Sequence, residues 1–191
     1  MKRLITLIVI MSLVGCASML PKTAESKAYQ HAGAKVFSPS ESGWALLNQS
    51  AYGVTFAKKY AGSKASAIAN TYVFRVGDLP SDEVFFELIK QGRAANDDRS
   101  RFKALEVNYE SLTYKDLACL KYRGVSEDHG NNGIDSADFL YFKNFGYICR
   151  TKLDQSTAIL MEVSHRSDSI EVPIELKKMA AEFFNSIELL P

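Results

Sequence analysis

The chain has 191 residues, 47% of them hydrophobic, with 23 Lys or Arg against 22 Asp or Glu and a formal net charge of +1. That balance lacks the basic footprint of a nucleic-acid binder. The length and apolar content suit one globular domain with a sizeable core, and there is no internal repeat or low-complexity block.

Lys2 and Arg3 precede an apolar run from Leu4 to Gly15 that only Thr6 and Ser12 interrupt. Crossing a bilayer core as a helix takes about 20 residues, so this run is too short to span. A basic start, a short apolar stretch and small residues at its end describe a secretory signal peptide over residues 1–15. The run closes on Leu13-Val14-Gly15-Cys16, which resembles the lipobox of bacterial lipoproteins at every position. The resemblance implies lipid transfer to Cys16, cleavage after Gly15 and acylation of the new amino terminus. The chemistry asks for cysteine because the thiolate is the nucleophile. Each buried methylene contributes about 0.8 kcal/mol, so several acyl chains together anchor the protein where one alone would not. Ala17 stands where lipoproteins retained in the inner membrane carry Asp, so the resemblance implies the outer membrane, facing the periplasm.

From residue 16 to residue 42 the chain is small and polar, with Pro21, Gly33 and Pro39 scattered through it. It reads as the lipidated N-terminus and a tether, with room for a short helix near Ala24–Ala32. The globular domain then spans residues 43–191. Tyr52, Val54 and Phe56 alternate as in a strand, and Ile68, Tyr72, Phe74 and Val76 follow the same spacing. At Leu79-Pro80-Ser81 the period changes. Ser81 caps a helix, Asp82 and Glu83 complement its dipole, and Val84, Phe85, Leu88 and Ile89 share a face, with the end near Asn96-Asp97-Asp98. Leu105, Val107 and Tyr109 suggest another strand. Leu117–Val125, Phe139–Thr151 and Ser156–Ser164 read as three more. Leu176, Met179, Ala180, Phe183 and Ile187 take helical spacing after Pro173. The fold class is therefore α+β, an antiparallel sheet with a middle helix and a C-terminal helix packed on it as an α/β sandwich.

Of the three cysteines, lipidation would consume Cys16 and leave Cys119 and Cys149 as a pair. Export to an oxidising compartment favours a disulfide between them. Two separate buried thiols are the plain alternative, and zinc would need further ligands at metal-binding spacing that neither cysteine has. If Cys119 faces Cys149, Leu120 meets Ile148 and Tyr122 meets Gly146 on one face. Lys121 then meets Tyr147, and Arg123 meets Phe145, on the other. Directly opposed Cα atoms are close enough for a bridge. The mostly apolar face goes to the core, and the cationic–aromatic face is partly exposed.

Candidate chemistry is sparse. Glu127–Asp138 is dense in oxygen ligands, but Gly130 and Phe139 occupy positions where a calcium loop needs an oxygen and a bidentate Glu, so it reads as a hairpin loop. Ser164-His165-Arg166 looks like the start of a nucleophile–base pair. Neighbours on a strand point to opposite faces, however, and no G-x-S-x-G elbow surrounds Ser164. His129 and His31 are the other histidines available as bases. Asn96–Lys103 alternates acidic and basic residues and reads as a solvated connection. Pattern alone leaves open whether Tyr109, Tyr114, Phe145 or Tyr147 forms a contact patch. No pattern asks for a cofactor or a metal.

Gly43-Trp44, the run Gln91-Gly92-Arg93-Ala94-Ala95, the two cysteines and Ser164-His165-Arg166 together resemble a group of proteobacterial exported proteins, a likeness that implies no activity. The order of elements is more loosely similar to the Mog1/PsbP-like α+β sandwich. The functional expectation is a lipid-anchored binding or accessory module of the cell envelope, with an envelope protein or polymer as partner. A small envelope hydrolase using His165 or His129 is the alternative.

Overall fold

A computed structural model describes residues 27–96, 98–130, 134–135, 137–152 and 154–190. The leader, Cys16 and most of the expected tether lie outside the described residues. The described elements are β1 (Ala28–His31), β2 (Ala34–Phe37), β3 (Ala45–Gln49), β4 (Gly53–Lys59), β5 (Ser66–Arg75), α1 (Asp82–Asn96), β6 (Phe102–Tyr114), β7 (Leu117–Asp128), β8 (Leu140–Arg150), β9 (Thr157–Ser167), α2 (Ile174–Ser186) and β10 (Glu188–Leu189). The fold is a sheet-rich α+β one. Seven antiparallel strands run in the order β3-β4-β5-β9-β8-β7-β6, and β1, β2 and β10 make a separate small sheet. Among the described residues no helix is long and apolar enough to cross a membrane.

The central hairpin has the register that the cysteines require. Cys119 opposes Cys149, Leu120 opposes Ile148, Lys121 opposes Tyr147, Tyr122 opposes Gly146 and Arg123 opposes Phe145. The two cysteines are bridged with Cα atoms 4.0 Å apart, and both are fully buried.

Because strand neighbours point to opposite faces, this register sorts the core into two parts. Cys119, Cys149, Ile159, Met161 and Val163 face one way, together with Phe56 and the buried stripe of α2, Leu176, Met179, Ala180, Phe183 and Phe184. Leu120, Tyr122, Ile148 and Ala158 face the other way, against Phe85 and Ile89 of α1. The two helices therefore cover opposite faces of the large sheet.

Helix α1 is tied down at both ends. Ser81 Oγ accepts from the amide of Val84 at 3.4 Å, as a cap should. Arg150 donates to the Leu79 carbonyl at 2.6 Å and meets Asp82 at 3.3 Å. In the last turn the Arg93 guanidinium lies 3.7 Å over the Tyr122 ring. Only Phe85 and Ile89 of the expected apolar face are buried; Val84 and Leu88 stay exposed.

The reading of residues 28–37 as tether is corrected. Ala28–His31, placed within a short helix by the sequence, is strand β1, and it pairs with β2 from Ala28 opposite Phe37 to His31 opposite Ala34. Tyr29, Ala34 and Val36 are buried with the α2 cluster, and the Tyr29 ring meets Phe56 edge-on at 5.2 Å. Gly33 permits the close approach, since a Cβ there would sit 2.4 Å from Val73 Cγ2. After α2, Ile187 turns extended and β10 joins the same small sheet through β2. At the far edge of the large sheet, β6 is long. Its bulge near Leu105, with Lys103, Glu106 and Glu110, blunts it as a template for further pairing.

Candidate functional site

Helix α1 covers only part of its face of the large sheet. The row Tyr72, Leu160, Ile148 and Leu120 lies on the covered side, as the opposed pairs require. The next rows carry polar residues. Asn70, Glu162, Gly146 and Tyr122 form one, and Ile68, Ser164, Asn144 and Gly124 the next. Glu162 gathers this floor together, with Tyr122 Oη donating to it at 2.6 Å, Asn144 Nδ2 donating at 3.2 Å and the Arg93 guanidinium as an ion-pair partner at 3.7 Å. Burial raises the Tyr122 phenol well above its ordinary pKa, and the Glu162 charge adds to that. The tyrosine is a donor at any physiological pH.

Past these rows the face opens into a cleft of about 1090 Å³. Its floor comes from the β4–β5 hairpin, through Lys58, Lys59, Lys64 and Ile68. Its wall is the connection after β7, through Asp128 to Gly130 and Asp138 to Leu140. Asp128 ends β7 on the inward face and is fully buried. Arg101 reaches it from the start of β6 with both Nε (2.7 Å) and Nη2 (2.9 Å), and the amide of Gly130 donates at 3.0 Å. From β9, Arg166 Nε approaches the other side at 2.7 Å as a charge contact, without an aligned hydrogen bond. Burial pushes the Asp128 carboxyl up. The hydrogen bonds from Arg101 and Gly130 and the two guanidinium charges outweigh it, and the carboxyl titrates below its ordinary range.

His129 follows Asp128 and is also buried. Its amide donates to the Arg101 carbonyl at 3.0 Å, its Nε2 lies 3.1 Å from Glu127 Oε2, and Phe139 packs on the ring at 5.2 Å. Nδ1 has no hydrogen-bond partner among the described residues.

The other histidines go elsewhere. His165 points to the α2 face, opposite Lys143, and its ring meets Tyr60 edge-on at 5.9 Å. Burial, reinforced by the Lys143 charge, pulls its pKa down to about 4. Ser164 points to the α1 face, so the strand rule holds and this pair does not meet. His31 is a structural residue. Gly33 N donates to its Nδ1 at 3.3 Å, so Nε2 carries the proton and donates to Thr71 Oγ1 at 2.7 Å.

Lys143 and Ser167 have the outward look of a serine–lysine dyad, with Nζ 2.7 Å from Oγ. Their wiring is different. Lys143 also donates to the Ser169 carbonyl and, at 3.5 Å, to the Glu171 carbonyl, while Ser167 Oγ donates to Ser169 O at 3.0 Å. Burial lowers the lysine pKa to about 8, with Asp168 pulling it back up. At pH 7 the ammonium form dominates, and a protonated lysine that donates to the hydroxyl cannot serve as its base. The cluster ties down the segment that leads into α2.

The cationic–aromatic side of the hairpin is half-buried. Tyr147 stacks on Tyr114 at 4.3 Å and meets Phe184 edge-on at 5.4 Å, while Lys121 and Arg123 are exposed.

The cleft joins residues that the sequence assigned to three unrelated features: Arg101 to a solvated connection, Asp128 to a calcium-like loop, and Arg166 to the histidine motif. One signal was there to read. Leu120, Tyr122, Gly124, Ser126 and Asp128 alternate onto one face, which carries a carboxylate inward at the strand end. Parts of the loop, Asn131–Gly133 and Ser136, lie outside the described residues.

No protein-family model matches the chain, and a search of curated proteins finds no match.

Proposed function

We propose that the protein is a cell-envelope lipoprotein, held by lipid on Cys16 at the outer membrane and facing the periplasm. In this reading its domain is a binding or accessory module for an envelope protein or polymer. One observation carries the anchor: Leu13-Val14-Gly15-Cys16 at the close of a short apolar run behind Lys2 and Arg3. Support for the module is the cleft itself, an open concave surface where charged side chains held by a buried carboxylate meet solvent. The bridged cysteines suit an oxidising compartment. The two layers of core on either side of the large sheet support reading the domain as an α/β sandwich, akin to the proteobacterial exported proteins and more loosely to the Mog1/PsbP type.

Labelled palmitate incorporation tests the anchor. Cys16→Ser should abolish labelling and release the protein from the membrane fraction or leave it uncleaved; unchanged labelling removes the reading. Crosslinking in cells from a photoreactive residue at Ser66, on the cleft floor, should capture an envelope component.

The hydrolase reading has one observation on its side, the His129–Glu127 pair with Nδ1 unpartnered. A broad hydrolase screen decides it. Activity that disappears in His129→Ala while the fold persists would displace the binding-module reading.

A further inference from the structure

The chemistry of the cleft narrows what it binds. Its lining carries Lys58, Lys59, Lys64, Arg101 and Arg166 against Asp128 and Asp138. Lys58 is matched by Glu41 at 2.5 Å. Even with Glu41 counted, cations outnumber carboxylates. Lys59 and Lys64 are exposed and make no ion pair among the described residues.

Orientation matters more than the count. Asp128 takes Nε and Nη2 of Arg101 and lies against Nε of Arg166. Nη1 of Arg101 and both Nη atoms of Arg166 are left without a protein hydrogen bond among the described residues. A single buried carboxylate thus fixes two guanidinium groups from different strands and leaves their outer N–H groups to the cleft. Preorganised forks of this kind suit an anion with several oxygens, because little side-chain entropy is lost on binding. A carboxylate has two oxygens to offer and a phosphate ester has more, which two guanidiniums and a lysine can share.

Two further features describe the rest of the ligand. Glu127 Oε2 faces Nε2 of His129, and the buried Nδ1 has no hydrogen-bond partner among the described residues. A hydroxyl on the ligand, which both donates and accepts, suits that ring nitrogen in either role. Ile68, Phe139 and Leu140 supply an apolar wall for a short carbon skeleton.

We propose that this cleft binds a hydroxylated phosphate ester of the glycerol-phosphate kind, its phosphate on Arg101, Arg166 and Lys64 and a hydroxyl on His129. The inference rests on the binding-module reading and names its ligand class. The ester has two sources, a phospholipid headgroup and a free polyol phosphate, and the same cleft chemistry serves both.

Calorimetric titration of the full chain in neutral detergent tests it, with five probes: glycerol phosphate, inorganic phosphate, glycerol, and short-chain phosphatidylglycerol set against short-chain phosphatidylcholine. Glycerol phosphate should bind saturably and more tightly than inorganic phosphate, with glycerol alone silent. Arg166→Gln should weaken binding at least about tenfold, the loss of one charge-assisted contact. Arg101→Gln uncovers the buried Asp128 and risks the fold. The exposed Lys64→Glu therefore provides the independent variant, and it should weaken binding comparably. Phosphatidylglycerol binding that is lost in the same variants identifies a lipid headgroup, while binding of glycerol phosphate without it identifies the free ester.

The proposal is overturned if the folded protein binds neither phosphate probe, or binds them unchanged in Arg166→Gln and Lys64→Glu. Crosslinking from Ser66 separates the two levels. Capture of an envelope component without phosphate binding removes this inference and leaves the module, whereas failure of both experiments removes both.

Discussion

His165 shows how a buried titratable side chain acts when nothing nearby accepts its proton. Its ring sits between Lys143 on β8 and Tyr60 beyond β4, and its pKa falls from 6.5 to about 4. Between these values the unfolded chain takes up a proton that the folded chain refuses. Stability therefore declines as pH drops from 6.5 towards 4 and levels off, for this residue, below that. His165→Phe keeps a ring against Tyr60 and removes the titration. Urea unfolding of both proteins across this window should show wild type losing on the order of 2–3 kcal/mol relative to the variant. Parallel pH profiles would mean that His165 is protonated in the fold. Ser164, its neighbour in the motif, points to the opposite face, so the two side chains do not meet. The Ser167 hydroxyl and Lys143 on the histidine's own face spend their hydrogen bonds on the carbonyls of Ser169 and Glu171.

Among the elements, the β7–β8 hairpin was the most legible. Two cysteines, an alternating pattern on each side and a polar loop between were enough to set its register residue by residue, and the observed pairs are those expected. The bridge spans a sequence separation of 30, for which loop entropy gives roughly 3.6 kcal/mol. Cys119→Ala and Cys149→Ala should therefore each cost about 2–4 kcal/mol, and the double variant little more than either single one. Calorimetric melting of the three variants checks this. Free thiols in protein purified without reductant would deny the bridge. The small sheet was illegible for the opposite reason. β1, β2 and β10 are two to four residues long, too short to display a period. What makes them strands is contact: Tyr29 on Phe56, Gly33 against Val73, and β10 closing on β2 from the far end of the chain. Loss of residues 188–189 would expose the unpaired edge of β2.

Across the whole molecule, one sheet separates two cores of unequal size, the larger under α2 and the small sheet, the lesser under α1. Both use side chains of the same strands, so the two should melt together. Phe56 and Phe85, each fully buried, are the central side chains on either side. Phe56→Ala and Phe85→Ala should each cost about 3–5 kcal/mol, a large share of a total that is commonly about 5–15. Each should shift a single transition, seen alike by far-UV circular dichroism and by the fluorescence of Trp44, the chain's one tryptophan. Trp44 is buried with the α2 cluster. A Phe85→Ala protein that loses helix signal before the Trp44 signal moves would reveal two cooperative units.

Sequence alone determined what depends on near neighbours along the chain. The α1 start at Ser81, the buried stripe of α2 from Leu176 to Phe183, the long strands and the Cys119–Cys149 register all follow from periodicity, capping and cysteine count. The proposed leader and lipid anchor at Cys16 rest on the same kind of local pattern, in residues outside the described ones. Tertiary structure decided what depends on distant segments meeting. It put α1 and α2 on opposite faces, turned part of a supposed tether into core, and left part of a sheet face uncovered. It also brought Arg101, Asp128 and Arg166 together from the beginning of β6, the end of β7 and the end of β9. A carboxylate's partners are set by strand order and by the cost of burying an unpaired charge, and strand order is a property of the folded sheet that no local stretch of the chain records.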